Sequence, residues 1–337
     1  MYKLNYILSD TVDIKYIIGV DGGGTKTETI VLDNRGIILG HSIAGPSNIN
    51  IIGFNQAVKS IINSIRKSMD MSGIKKADIA ILGLAGAGRK RIAKRFYRKL
   101  IKNRLLKNLK IFSDGYIALI AATRYSKGIM INSGTGIIVM GIDDKGKIER
   151  CSGWGYLIDD EGSGYWIGQK ILNRVFRSFD GRDRPTALLK VVLNVFDAKD
   201  LDEVLIKVYS DKNFINRITS ITKYVGDLWI NDSIAREILE EAAEEMAIAI
   251  SCVQKKLNID CPDIYYLGGV FDIGKPLVDM LERKLKKYIA KFRLLKPMFK
   301  NVIGAGLIGL REIGINIDNY IICNIYDSGL KWGLIYE

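Results

Sequence analysis

The sequence is poor in histidine, with only His41 among 337 residues. A site needing two imidazoles is excluded, and a histidine-based triad has little to build on, so general base work falls to a carboxylate or a lysine. Cysteine is sparse too. The four residues Cys151, Cys252, Cys261 and Cys323 include no close pair. That spacing argues against a zinc ribbon or a redox motif, and the chain is too long and too thiol-poor for a secreted disulfide framework. They read as core or incidental thiols. No apolar run is long enough to span a bilayer, and "MYKLNYILSDTVDIK" is too polar for the apolar core of a signal peptide. A cytoplasmic protein with no membrane partner is the expectation.

Acid is the scarcer charge: net charge is +13. Much of it sits in "RKRIAKRFYRKLIKNRLLKNLK", Arg89 to Lys110, which contains no acidic residue. Ile92, Phe96, Leu100 and the Leu105/Leu106 pair fall near helical spacing within it, which predicts a surface helix with an apolar stripe and wet lysines. Interleaved aromatics are missing, so nucleic acid is not an expected partner.

Glycine, by contrast, is plentiful, and its placement is patterned. In "YIIGVDGGGTKTETIVLDNRGIILG", Tyr16 to Gly40, an apolar run reaches Asp21 and three glycines. Thr25, Thr27, Thr29 and Val31 then alternate with Lys26, Glu28, Ile30 and Leu32, the period of a strand. "DNRG" makes a turn and "IILG" a third strand. The glycines thus belong to a hairpin bend, not to the start of a helix. The pattern returns in "GIMINSGTGIIVMGIDDKGKIE": Gly24-Thr25 recurs as Gly134-Thr135, Asp33 as Asp143, Gly36 as Gly146 and Ile38 as Ile148, all 110 positions on. Arg35/Lys145 and Leu32/Ile142 keep the register. A duplicated β-meander is predicted, with two glycine hairpins that would grip a polyphosphate.

Helices and strands follow each meander: "FNQAVKSIINSIRKSM" as helix, "ADIAILGLAG" and "LKIFSDG" as strands, "SIAREILEEAAEEMAIAISCVQKKLN" as a long amphipathic helix, and "DIYYLGGVFD" as a strand entering glycines. Glycines 22 to 24 let backbone N–H groups approach oxyanions, and Thr25 and Thr27 add hydroxyls. Asp114 ends a strand, where a carboxylate serves either as helix cap or as base. Trp154 and Trp166 read as core anchors, and "GAGLIGL" as a close-packed helix returning to the first half.

"VDGGGTKT", "INSGTG" and "YYLGGVFD", in that order, resemble the two phosphate motifs and the adenosine motif of the acetate and sugar kinase, heat-shock chaperone and actin group of ATPases. "GWGYLIDDEGSGYWIGQKIL" and "AGPSNIN" resemble the sugar-site segments of its N-acetylglucosamine kinase branch, the BadF/BadG/BcrA/BcrD ATPase family. The resemblance implies an α/β fold of two duplicated actin-like (ribonuclease H-like) lobes, each a mixed five-stranded sheet with flanking helices. The first lobe would take 13–115 and be completed by a helix near 303–315. The second would take 116–302, leaving 316–337 with no assigned role. It implies an ATP-dependent kinase acting on the 6-hydroxyl of a hexose or N-acetylhexosamine; the alternative is a BadF-type ATPase that activates a partner enzyme, a role for which Cys252 and Cys261 are badly spaced. Asp114 would be the base and Asp21 would hold Mg²⁺. Gly22, Gly23, Gly24, Thr25, Lys26, Thr27, Gly134, Thr135, Gly136, Gly268 and Gly269 would hold ATP. Asn48, Asp114, Gly153, Trp154, Gly155 and Asp160 would hold the sugar, and the enzyme would be a homodimer. Two departures stand out: Ile137 and Ile138 follow "GTG" where the family has a small polar residue, and Asp159 replaces a usual glycine.

Overall fold

Residues 13–102, 106 and 108–336 are described by a computed structural model. Part of the basic segment, 103–105 and 107, and nearly all of the polar N-terminal stretch lie outside the described residues. The chain divides into two units. One runs to Ala121 and takes in Phe299–Ile335; the other is Ala122–Met298 with Tyr336.

The first unit begins with the expected meander. Strands β1 (Tyr16–Gly22), β2 (Thr27–Asp33) and β3 (Ile38–Ala44) are antiparallel neighbours, and β4 (Ile79–Leu84) and β5 (Leu109–Ser113) extend the sheet parallel to β1 in the order β3-β2-β1-β4-β5. Both faces are covered, which is why β1 and β4 read as continuous apolar runs. Ile18, Val20, Val31 and Leu82 pack under the helices Phe54–Ser72 and Lys90–Ile101. On the opposite face, the helices Asp114–Thr123 and Asn301–Glu312 lie against Gly83, Ile17 and Ile81. A Cβ on Gly304 would fall 1.9 Å from the carbonyl oxygen of Ile117, so these two helices touch backbone to backbone. The final helix, Asn319–Leu330, seals the β2–β3 turn: Asn324 Nδ2 donates to the Arg35 carbonyl at 2.7 Å, and Ser328 Oγ accepts from Ile38 N at 3.0 Å.

The second unit repeats this plan. Strands β6 (Gly128–Ser133), β7 (Ile137–Ile142) and β8 (Ile148–Cys151) form its meander, with β9 (Asp263–Leu267) and β10 (Arg293–Leu295) parallel to β6 in the order β10-β9-β6-β7-β8. The long helix Ser233–Leu257, capped by Asp232 Oδ1 on Ile234 N and Ala235 N, packs Val253 and Leu257 against Gly141 of β7. Between β8 and β9 also lie five further helices, among them Gly164–Phe179.

The repeat extends to hydrogen bonds. Asp33 Oδ1 accepts from Arg35 N at 2.9 Å and Ile37 N at 3.0 Å, and Asp143 Oδ1 accepts from Lys145 N at 2.9 Å and Lys147 N at 2.8 Å. Gly36 and Gly146 close the two turns at φ 84° and 78°, a conformation that costs glycine nothing. The glycine bends differ by one residue. β1 pairs Gly22 with Thr27, whereas β6 pairs Ser133 with Ile137. Thr25, read as the first residue of a strand, therefore sits in the bend.

Candidate active site

In the first unit the candidate groups gather at the carboxyl ends of the parallel strands, where open α/β sheets place their ligands. Asp21 is the penultimate residue of β1, and Gly23 N donates to Lys26 O at 2.9 Å to close the bend beyond it. Gly24 and Thr25 stand at its tip, Thr25 exposed. Gly22 is glycine for want of space: a Cβ there would lie 2.4 Å from Ser47 Oγ and 2.6 Å from Leu84 Cδ2. The Gly23 carbonyl accepts from Ser47 N at 3.0 Å and Asn48 N at 3.1 Å, so the bend also positions the loop that carries Asn48.

Side chains after the bend divide between the two faces of the sheet. Thr27 is fully buried, and its hydroxyl donates to the Gly45 carbonyl at 2.7 Å. It therefore shapes the Asn48 loop and has no proton left for a ligand. Lys26 reaches Glu28 Oε2 at 2.8 Å, and His41 Nε2 lies 2.9 Å from Glu28 Oε1. Burial would raise the Glu28 carboxyl, but the bonds from His41 and Lys26 outweigh it and hold it below the usual range.

Asp21 faces the opposite balance. Burial, then the negative charges of Asp114 and Glu28, push its carboxyl up to about 7, against the pull of Lys26 and a hydrogen bond from Asn301. Asn301 opens the helix Asn301–Glu312 and carried no sequence signal, because its pairing with Asp21 exists only after that helix has folded back. Asp114 follows β5 as the first residue of the helix Asp114–Thr123. Ser113 Oγ caps that helix by accepting from Tyr116 N at 3.2 Å, while Asp114 Oδ1 accepts from its neighbour Gly115 N at 2.9 Å. The capping role is thus shared with Ser113. The Asp114 side chain opens on solvent from a recess dense in protein, whose poor solvation holds its carboxyl above the usual range despite the Gly115 bond.

In the second unit the glycine bend, the "DDEGSG" segment and the "LGG" turn are built into one another. Gly134 N donates to Gly136 O at 2.9 Å. The carbonyls of Gly134 and Thr135 accept from Gly164 N (2.8 Å) and Tyr165 N (3.2 Å), the first amides of the helix Gly164–Phe179, and Ser133 Oγ donates to the Gly162 carbonyl at 2.9 Å. Asp160 is buried with φ 74°, a left-handed conformation uncommon outside glycine. Its Oδ1 accepts from Gly155 N at 3.3 Å, and its Oδ2 fills the place where a Cβ on Gly136 would be, 2.7 Å away. Burial raises its carboxyl, helped by Asp159 and Glu161 and opposed by the Gly155 and Ile137 amides. Gly268, at φ 100°, approaches Ser133 so closely that a Cβ would meet its carbonyl oxygen at 2.3 Å; Gly269 then begins a short 3₁₀ turn.

The departures from the family pattern acquire places here. Asp159 Oδ2 accepts from Ser152 Oγ at 3.0 Å and Trp154 N at 2.9 Å, fixing the turn that presents Gly153 and Gly155. Ile138 packs where a Cβ on Gly153 would stand, 3.2 Å from its Cγ1. Trp154, expected in the core, is 67% exposed, because Ser152 and Gly153 both take positive φ and turn the chain outward. The Arg150 guanidinium stacks 4.2 Å above its ring. Trp166 is partly buried against the second unit's core.

Among curated proteins, the N-acetylmuramic acid/N-acetylglucosamine kinase of Clostridium acetobutylicum is 29% identical over 312 residues, covering 89% of this chain and 99% of that protein. The N-acetyl-D-glucosamine kinase of Dictyostelium discoideum is 28% identical over 313 residues, covering 88% and 98%. Among solved structures, a candidate N-acetylglucosamine kinase from Chromobacterium violaceum superposes with a TM-score of 0.71 at 24% identity, over 88% of this chain and 99% of its own. A ROK hexokinase from Thermus thermophilus gives 0.60 at 14% identity, over 88% and 99%. These likenesses agree with the duplicated five-stranded lobes, and the family's sequence profile matches residues 18–309. The chain belongs to the BadF/BadG/BcrA/BcrD ATPase family.

Proposed function

We propose that this protein transfers the γ-phosphoryl group of ATP to the 6-hydroxyl of N-acetylglucosamine or a closely related amino sugar. The observation that carries the reading is the pairing of Asp21 and Asp114 at the carboxyl ends of β1 and β5, two carboxylates near enough to repel one another but set in different surroundings. Phosphoryl transfer asks for alignment, charge neutralisation and a place for the hydroxyl proton. Asp114, with one oxygen turned to its own backbone and a raised pKa, is the base that takes that proton.

The residues around Asp21 fit Mg²⁺. That ion binds through one or two carboxylates and keeps much of its water. Asp21 supplies the carboxylate, and two buried oxygens beside it, Asn301 Oδ1 and Ser47 Oγ, have no protein partner and suit bound water. Among the described residues no group of three or more His, Cys, Asp or Glu gathers as a metal cage. Bound there, Mg²⁺ would neutralise phosphate charge. Within the Gly22–Thr25 and Gly134–Gly136 bends, amides other than those of Gly23 and Gly134, which close the bends, bind phosphate oxygens, and the Gly268–Gly269 turn admits the nucleoside. Asn48, Asp160 and the Gly153–Gly155 backbone read the sugar hydroxyls and the 2-substituent, with Asp159 holding that turn in shape.

The test is ADP release, coupled to a reporter enzyme, over N-acetylglucosamine, glucosamine, glucose and N-acetylmannosamine. Stimulation by an amino sugar is the expected result. If no sugar raises ATP turnover above its basal rate, the reading fails.

A further inference from the structure

The helix Lys90–Ile101 buries Phe96 and Leu100 and is otherwise cationic. Arg91, Lys94, Arg95, Arg98, Lys99 and Lys102 recur at helical spacing along one side and line a hollow of about 540 Å³, closed opposite by Phe54. Its size falls in the range of roughly 300–1,000 Å³ typical of small-molecule sites. Like charges one turn apart destabilise a helix, so a stripe of this kind calls for an anion. None comes from the protein: among the described residues, none of these six cations pairs with a carboxylate. Elsewhere the chain does answer its cations; Arg283 and Lys284 meet Glu240, and Lys287 meets Glu244.

The shape of the hollow narrows the anion. Among the described residues Phe54 is its one aromatic wall; the Arg95 guanidinium lies over that ring at 3.9 Å and the Phe96 ring packs 5.0 Å from it, so little of it is left for a base to stack on. A concave floor suits a compact ligand better than a flat bilayer. Six donors within one hollow exceed what a single orthophosphate would engage. Arginine's planar fork and lysine's point charge both bind phosphate oxygens strongly.

We propose that this hollow is a binding site for a small oligophosphate, separate from the residues assigned to catalysis. Tripolyphosphate binding to the full chain, followed by calorimetry with saturating ADP present to occupy the nucleotide site, is the test. One ADP-resistant site per chain is expected, with orthophosphate at least about tenfold weaker. Arg95→Gln/Arg98→Gln should weaken it by about tenfold or more, while the charge-matched Lys75→Gln/Lys76→Gln, on exposed residues of the same unit, should leave it unchanged. Circular dichroism checks that each variant is folded. Absence of ADP-resistant binding, equal losses in both variants, or tighter binding of a single-stranded oligonucleotide or of anionic vesicles through the same arginines would each overturn the proposal.

Discussion

Asp114 and Asp21 are both aspartates at strand ends, and their neighbours give them different work. Asp114→Asn keeps the shape and the Gly115 hydrogen bond but removes the carboxylate proposed to accept the hydroxyl proton. Turnover should fall by about 10²- to 10⁴-fold, with sugar affinity nearly unchanged, as read from kcat beside the dissociation constant for sugar. Near-normal turnover would remove Asp114 from the base role. Asn301→Ala makes a subtler case. It takes away one hydrogen bond that favours ionised Asp21, so the apparent affinity for Mg²⁺ should weaken while the sugar KM holds; a change in sugar KM alone would contradict this. The place of Asp114 at the close of a strand was legible in the sequence, because the short apolar run before it stops there. Asn301 and the Asp159 clamp were not, since each acts on a residue that only tertiary folding brings near, and Trp154 was misread because hydrophobicity says nothing of the two left-handed residues before it.

Turns were the most legible elements. Asp33–Gly36 and Asp143–Gly146 are written in local chemistry, a carboxylate that accepts two following amides and a glycine at positive φ, so their recurrence 110 positions apart needed no tertiary knowledge. Helix contacts were less so. "GAGLIGL" announced a close approach without naming the surface it approaches. Gly304→Ala should destabilise the first unit by about 3 kcal/mol or more, the upper range for overpacking, because the obstruction is the Ile117 backbone and not a pliable side chain. Denaturant unfolding measures it, and a loss under 1 kcal/mol would refute the contact. In the second unit, Glu244 on the helix Ser233–Leu257 meets Lys287 and Tyr288 (2.8 and 2.6 Å) in the turn after the helix Lys275–Leu285, with Lys284 of that helix beside them, and these donors lower its carboxyl from 4.5 to about 2. A depressed folded-state pKa stabilises above the unfolded value and loses its effect as pH falls. Glu244→Gln should therefore cost about 1 kcal/mol or less at pH 7, a surface-pair magnitude, with the gap closing between about pH 4.5 and 2. A gap independent of pH would show that the charge is irrelevant.

For the whole molecule, the two units share a strand order and differ in continuity. The second is one stretch, Ala122–Met298, apart from Tyr336; the first is assembled from two, with Phe299–Ile335 supplying helices and part of the cover for one sheet face. A fragment spanning 122–298 should consequently show cooperative thermal unfolding, whereas one ending at 121 should not; a cooperatively folded 13–121 would contradict the account. The discontinuity also sets an order of birth. A ribosome makes β1 well before the helix Asn301–Glu312, yet Ile17 and Gly19 of that strand wait for partners on this helix. The later-made unit completes its core before the earlier-made one, reversing the usual sequence in which nascent domains mature. In the interval, the isoleucine-bearing face that this helix later covers stays open, a surface of the kind that chaperones shield.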